Sequence, residues 1–380
     1  MATKNRGVLV ATADVLIDAL EMEFDQVSRP VTEELGLVDR IGERQAQALD
    51  MTWMRRYHMW REWIGEREMR HDRRLFQARM YARKFEDTIR VPIEDIEDGV
   101  EANFDPQGEA AMLRQGYEDL VEKEHNAYFT HAFDQNFIKG SVTGPYGEEI
   151  YVGSMDGEPL LSDSHPYYEQ IEYNEAAPQG ERVNLVQGGT YSNLVNDALT
   201  IDNLWKAVRN YREMKDYRGR PANAGMPDTL VVGPKLEQQA REILEQTNVL
   251  VSDSNGAAAI NKARPNLDVR VNNWLYGTAD GCDFNFDGTP YSNNDVSVDD
   301  MWFLVNTSSN RSPFVHWDRK LPEIQRPVGT PGLEDGSPAE GAVDYLTFKD
   351  DSVQIGARAR FGVSFGVPHT IYASFGGVSL

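Results

Sequence analysis

The sequence predicts an α+β fold, and three observations carry that expectation. Helical and strand periods occupy separate stretches and do not strictly alternate. Residues 107–138 keep a 3.6-residue apolar period far longer than an ordinary helix does. Residues 81–91 switch to a period of two, with Tyr81, Phe85, Ile89 and Val91 alternating against Lys84, Glu86, Thr88 and Arg90. The wider stretch 60–106 is polar on both faces. It is therefore expected outside any core, covered by something other than its own chain.

Composition bounds the class. A chain of 380 residues with 40% hydrophobic and 10% aromatic content supports two or three compact domains, or one elaborate one, and excludes global disorder. The longest apolar runs, such as 229–234, are too short to span a bilayer, so no membrane partner is expected. The first residues lack an apolar run followed by a small-residue cleavage site, which predicts a soluble protein used or assembled inside a cell. The one cysteine, Cys282, excludes an intrachain disulfide framework. Its acidic neighbours are the wrong setting for a reactive thiol.

The net charge is −23, with 28 Arg but only 10 Lys against 61 acids. Such a surface favours solubility and repels nucleic acid. Two readings of this bias stand open: adaptation to high salt, where ions screen self-repulsion, or an ordinary acidic protein.

Along the chain, Val15, Leu16, Ala19, Leu20 and Phe24 predict a short arm helix with Asp14 as its N-cap, broken at Pro30. Trp53, Tyr57, Trp60 and Ile64 share a helical face that Gly65 would end. Residues 66–91 read as a long two-stranded hairpin, which is marginal alone in water and so should lie on another surface. In the long helix, Leu113, Tyr117, Leu120, Val121, Tyr128, Ala132 and Phe133 face inward over about 45 Å. Residues 140–190 read as turns with short strands at 148–154 and 180–186. A helix over 200–214 buries Leu204, Val208 and Tyr211. Residues 229–247 read as strand, Gly-Pro turn and helix from Lys235. Strands are expected at 266–275, 301–306, 312–318 and 353–367, with a Pro/Gly/acid loop at 327–342 and a last segment from His369.

Motifs for chemistry are sparse. No G-x-S-x-G, H-E-x-x-H, C-x-x-C or Walker A pattern occurs, so no enzyme and no cofactor are predicted. His125 and His131 are six apart on a helix, which argues against a metal pair. Asp283, Asn285, Asp287 and Gly288 match the first half of an EF-hand loop, but position twelve is Asn294. Either Asp283, Asn285 and Asp287 hold a structural divalent cation or sodium, or the loop is a solvated acidic turn. The acids at 94–98 read as a charged turn before the long helix. The basic, aromatic-flanked stretches around 69–74 and 79–84 fit contacts to an acidic neighbouring subunit better than nucleic acid.

Seven segments then form an ordered set: EWIGER (62–67), KFEDTI (84–89), IEDIEDG (93–99), DGEPLLSDSHP (156–166), TLVVGPKLEQQAREIL (229–244), MWFLVNTSSNRSPFVHWDRKLPEI (301–324) and DDSVQIGARARFGVSFGV (350–367). With these the chain resembles the Mu-like phage major head subunit family, whose fold is the Hong Kong 97-type capsid fold. The resemblance implies an N-terminal arm at 1–45 and an E-loop hairpin at 46–92 lying over an adjacent subunit. It implies a peripheral domain at 93–195 and 318–368, with the long helix as its spine, and an axial domain at 196–317 and 369–380.

It also implies self-assembly into hexamers and pentamers of an icosahedral head around double-stranded DNA. Portal, scaffold and decoration proteins would be further partners, and the virion, assembled in host cytoplasm, the location. Intersubunit contacts are expected from Trp60, Trp63, Arg67, Arg70, Arg73, Arg74, Arg79, Arg83, Lys84, Glu86 and Asp87. Relatives of this fold that cross-link covalently use an E-loop Lys, whereas residues 43–83 here contain none; non-covalent stabilisation is expected. An encapsulin-like cellular shell is the alternative. A hydrolase using the acids at 94–98 and 280–287 is the competing reading from another class.

Overall fold

The computed structural model describes residues 35–44, 46–52, 77–92, 106–134, 141–143, 149–173, 183–215, 221–222, 226–244, 251–252, 258–259, 265–276, 298–308, 312–325 and 352–377, with isolated residues 22, 27 and 33. In chain order the first strands are β1 (Val38–Ile41), β2 (Ala48–Thr52), β3 (Gln77–Tyr81) and β4 (Arg83–Pro92), followed by helix α1 (Pro106–Thr130). Strands β5 (Ser141–Thr143), β6 (Glu149–Val152), β7 (His165–Tyr173), β8 (Val183–Tyr191) and β9 (Leu194–Val195) lead to helix α2 (Ile201–Glu213). Next come β10 (Thr229–Val232), helix α3 (Pro234–Leu244), β11 (Val251–Ser252), β12 (Ala258–Ala259) and β13 (Asp268–Val271). The chain closes with β14 (Trp302–Val305), β15 (Phe314–Gln325), β16 (Ser352–Phe365) and β17 (Ile371–Ser374).

A four-stranded sheet in the order β1-β15-β16-β4 forms one centre of the molecule. Alternation along β15 and β16 gives it two apolar faces. Phe314, Phe361 and Phe365 point to helix α1, where they meet Tyr117, Tyr128 and Phe129. Val315 and Trp317 point the other way, against Met51, Ala78 and Met80 of β2 and β3. Those strands belong to a second sheet, β2-β3-β6-β5. Gly362 permits the close approach: a Cβ there would lie 2.5 Å from the Tyr81 carbonyl oxygen.

A five-stranded sheet, β13-β10-β14-β17-β9, carries the second core. Thr200 caps α2 by accepting from the Asn203 N–H at 3.3 Å, and Leu204, Val208 and Tyr211 are buried as expected. The run TLVV of β10 is buried throughout. Gly233 then turns the chain into α3, where Pro234 takes the first helical position. A Cβ on Gly233 would collide with the Leu275 carbonyl.

Several expectations are corrected. The long helix stops at Thr130, not 138: its 25 residues span about 37 Å. Thr130 turns its hydroxyl back to the Asn126 carbonyl at 2.9 Å, and Leu161 N–H takes the Ala132 carbonyl at 2.8 Å. The apolar period ran on because Ala132 and Phe133 are packed from a turn, Phe133 edge-on to Phe375. The strand expected at 81–91 is present as β4, which begins at Arg83 after a break at Ala82, but β4 and β3 are not arms of one hairpin. β3 pairs with β2, while β4 pairs with β16 over ten residues. Nor is all of 60–106 outside the core, since Ala78 and Met80 are fully buried under Trp317. Strand β15 runs on to Gln325, and β7 with β8 forms a nine-residue antiparallel pair where shorter strands were expected. The arm helix (apart from Met22), the face holding Trp53 and Trp60, the 94–98 acids, the 283–288 loop and the 327–342 loop fall outside the described residues.

Candidate functional site

The site begins at the β2–β3 ladder, where Thr52 stands opposite Gln77. Residues 53–76 connect these two positions and lie outside the described residues. Among them are four of the candidate contact arginines, Arg67, Arg70, Arg73 and Arg74, with Trp60 and Trp63.

The other candidate residues lie on β3 and β4. Arg79 grips Asp50 with two hydrogen bonds, Nε at 2.6 Å and a terminal nitrogen at 2.8 Å, pinning β3 to β2. This bond to Asp50 raises the Arg79 pKa further. Arg83 stacks its guanidinium 5.3 Å from the Phe85 ring centre and pairs with Glu124, buried on α1. Lys84 bonds Glu86 at 2.7 Å, which lowers the Glu86 pKa. Asp87 accepts from the Thr88 N–H at 2.8 Å. Arg79, Arg83, Lys84 and Glu86 thus have partners within the chain.

The last two turns of α1, from Glu124 to Thr130, are buried at every position. Such a segment demands a partner for every polar group. His125 Nε2 lies 2.8 Å from His316 Nδ1 on β15, and His316 Nε2 lies 2.9 Å from Asp318 Oδ1. Arg40 of β1 reaches Asp318 Oδ2 at 2.7 Å and Glu33 at 3.2 Å. Burial opposes the Asp318 charge, but bonds from His316 and Arg40 prevail and hold its carboxyl at about 2. A carboxylate there makes His316 Nε2 the donor. In the neutral pair His316 Nδ1 then accepts from His125 Nε2–H. Burial first, then the neighbouring His316 and Arg40, push the His125 pKa well below its ordinary value.

Two buried amides tie the remaining parts together. Asn272, after β13, donates to Asn126 Oδ1 on α1 at 2.8 Å, joining the long helix to the five-stranded sheet. Asn193 donates to the Leu160 and Pro368 carbonyls at 2.7 and 2.9 Å and accepts from Ser162 N–H at 2.9 Å. Nearby, buried His165 meets Asp156 at 2.8 Å and the Leu160 carbonyl at 3.2 Å. Sequence reasoning missed this network. His316 and Asp318, two apart on one strand face, were a signal for half of it. Arg40, 278 positions from Asp318, was not reachable from local pattern.

Among the described residues no group of three or more His, Cys, Asp or Glu converges as a metal site. The candidate cation residues Asp283, Asn285 and Asp287 lie outside them. No helix among the described residues is long and apolar enough to cross a membrane.

The described part of the site is thus the Arg79–Asp50 clasp between β3 and β2 and the edge strand β4 with its mixed charges. Comparison with known families gives the class. A family model described as "Phage capsid protein" matches residues 172–374, more than half of the chain. One described as "Mu-like prophage major head subunit gpT" matches residues 14–139. The chain belongs to the phage capsid protein family. It is a structural protein of the virion shell, in a family that is not a class of enzyme. With its α+β architecture, the fold is the Hong Kong 97-type expected from the sequence.

Among solved structures, the chain is similar to the procapsid of bacteriophage JBD30 (15% identity, TM-score 0.45, covering 96% of this chain and 75% of that one). It is also similar to the mature capsid of bacteriophage PhiM1 (10% identity, TM-score 0.48, covering 91% and 87%). A third is Mycobacterium phage Patience (11% identity, TM-score 0.46, covering 96% and 86%). No curated protein matches the chain.

Proposed function

We propose that the protein self-assembles into hexamers and pentamers of an icosahedral head enclosing double-stranded DNA, without covalent links between subunits. The observation that carries this is the Thr52–Gln77 closure. It supports reading residues 53–76, which carry Trp60, Trp63 and several Arg, as an arm that lies on a neighbour. We read residues 46–92 as the E-loop region, 93–195 with 318–368 as peripheral domain, 196–317 with 369–380 as axial domain, and 1–45 as an N-terminal arm. The exchange of β16 and β17 between different sheets supports that division.

The chain has no Lys from 43 to 83, so packing and ion pairs, not amide bonds, hold the arm. The net charge of −23 favours release of DNA from the inner wall. Portal, scaffold and decoration proteins are further proposed partners. Asp283, Asn285 and Asp287 are proposed to offer oxygen ligands to a structural cation, which calcium titration calorimetry tests; no heat at millimolar calcium ends that idea. The head reading is tested on particles from infected or expressing cells. Nuclease-protected DNA inside shells whose protein runs as a monomer on denaturing gels is expected. Protein cargo in place of DNA, or a ladder of covalent oligomers, contradicts it.

A further inference from the structure

Lys320, Arg360 and Lys84 stand directly opposite one another across β15, β16 and β4. Opposed Cβ atoms in a sheet are about 5 Å apart, so three cations fall within about 10 Å. Like charges so placed destabilise a sheet unless something neutralises them. The adjacent row reads Glu323, Arg358 and Glu86. Its two carboxylates are already committed: Glu323 bonds both Lys320 and Arg358, and Glu86 bonds Lys84. Arg360 is left over. Its Nε is out of water without a hydrogen-bond partner, and among the described residues no carboxylate pairs with it.

The two ends of the row are accessible, and Arg360 between them is half-buried. The side chains of Lys84 and Lys320 are 49% and 39% exposed, and they lie just beyond the point where β3 covers the sheet at Gly362. The pattern selects the occupant. A phosphate backbone is uniformly negative and would meet Glu86, 68% exposed, beside the cations. A protein surface can offer carboxylates to the cationic row and spare the acidic one. The chain itself, with 61 acids against 38 bases, is the most abundant source of such a surface in its own assembly.

We propose that Lys84, Arg360 and Lys320 form a carboxylate-docking row for an acidic face of a second copy of this chain. The inference rests on the self-assembly proposed above and adds the residues that receive the neighbour. A carbodiimide, which joins an amine to a carboxylate in direct contact, tests it on a mixture of ¹⁴N- and ¹⁵N-labelled protein. Mixed-isotope peptides linking Lys84 or Lys320 to an acid of the other copy are expected. In Arg360→Gln, checked for folding by circular dichroism, association should weaken about two- to fivefold per contact, with those links reduced.

Closed shells with only same-copy links, such as Lys84–Glu86, would overturn the row and leave the head reading standing. Mixed links in oligomers that are not shells would support the row and sink the head reading. Monomers without mixed links would end both. Stronger binding of wild-type subunits to a DNA oligonucleotide than to poly-glutamate of equal charge, lost in Arg360→Gln, would reassign the row to nucleic acid and overturn the proposal.

Discussion

His125 on α1 and His316 on β15 meet through ring nitrogens 2.8 Å apart, and both rings are buried. This contact and the Asp318–Arg40 pair beyond it make stability depend on pH in one direction. His125 has a folded pKa below its unfolded value. Below about pH 6.5 the unfolded chain takes up a proton that the native state refuses, so acid weakens the fold. Asp318, held at about 2 against an ordinary 3.8, contributes roughly 2 kcal/mol above pH 4, lost as pH falls towards 2. Urea midpoints of the unassembled subunit should therefore fall in two stages, from pH 6.5 downward and again below pH 4. His125→Gln should flatten the first stage; an unchanged slope would contradict the assignment.

Asn126→Ala should cost about 1–3 kcal/mol, because it strands the buried Asn272 amide. Asn272→Ala should cost a similar amount. The double variant should lose less than the sum, as expected of two groups that satisfy each other. Strict additivity in urea unfolding would mean that the two amides are not coupled.

Gly362→Ala should destabilise by about 1–3 kcal/mol, since the new methyl meets the Tyr81 backbone where β3 crosses β16. Gly42→Ala, where a Cβ meets nothing within 4 Å, is the matched control. Equal unfolding midpoints for the two variants would rule out a close approach at 362.

The elements with strong local signals were legible in the sequence. The Thr200-capped helix, the TLVV–Gly-Pro–helix unit and the β16 strand appear within a few residues of their expected bounds. Illegible were pairings between distant segments. Nothing local says that β1 runs parallel to β15, or that β4 joins β16 instead of folding back on β3. The same limit explains the candidate contacts: Arg79 and Arg83 read as free cations until Asp50 and Glu124 arrive from other elements. Deleting residues 66–83 would remove β3 and the buried Met80, and so should unfold the subunit.

The central claim, that residues 53–76 are an arm for neighbours and not part of their own subunit's core, is tested by replacing them with an Asn-Gly turn between Thr52 and Gln77, positions already paired. Electron microscopy of this variant beside the full chain is the deciding measurement. The account predicts closed shells from the full chain, and folded variant subunits, with an unchanged urea midpoint, that form none. Closed shells from the variant in normal yield would contradict it.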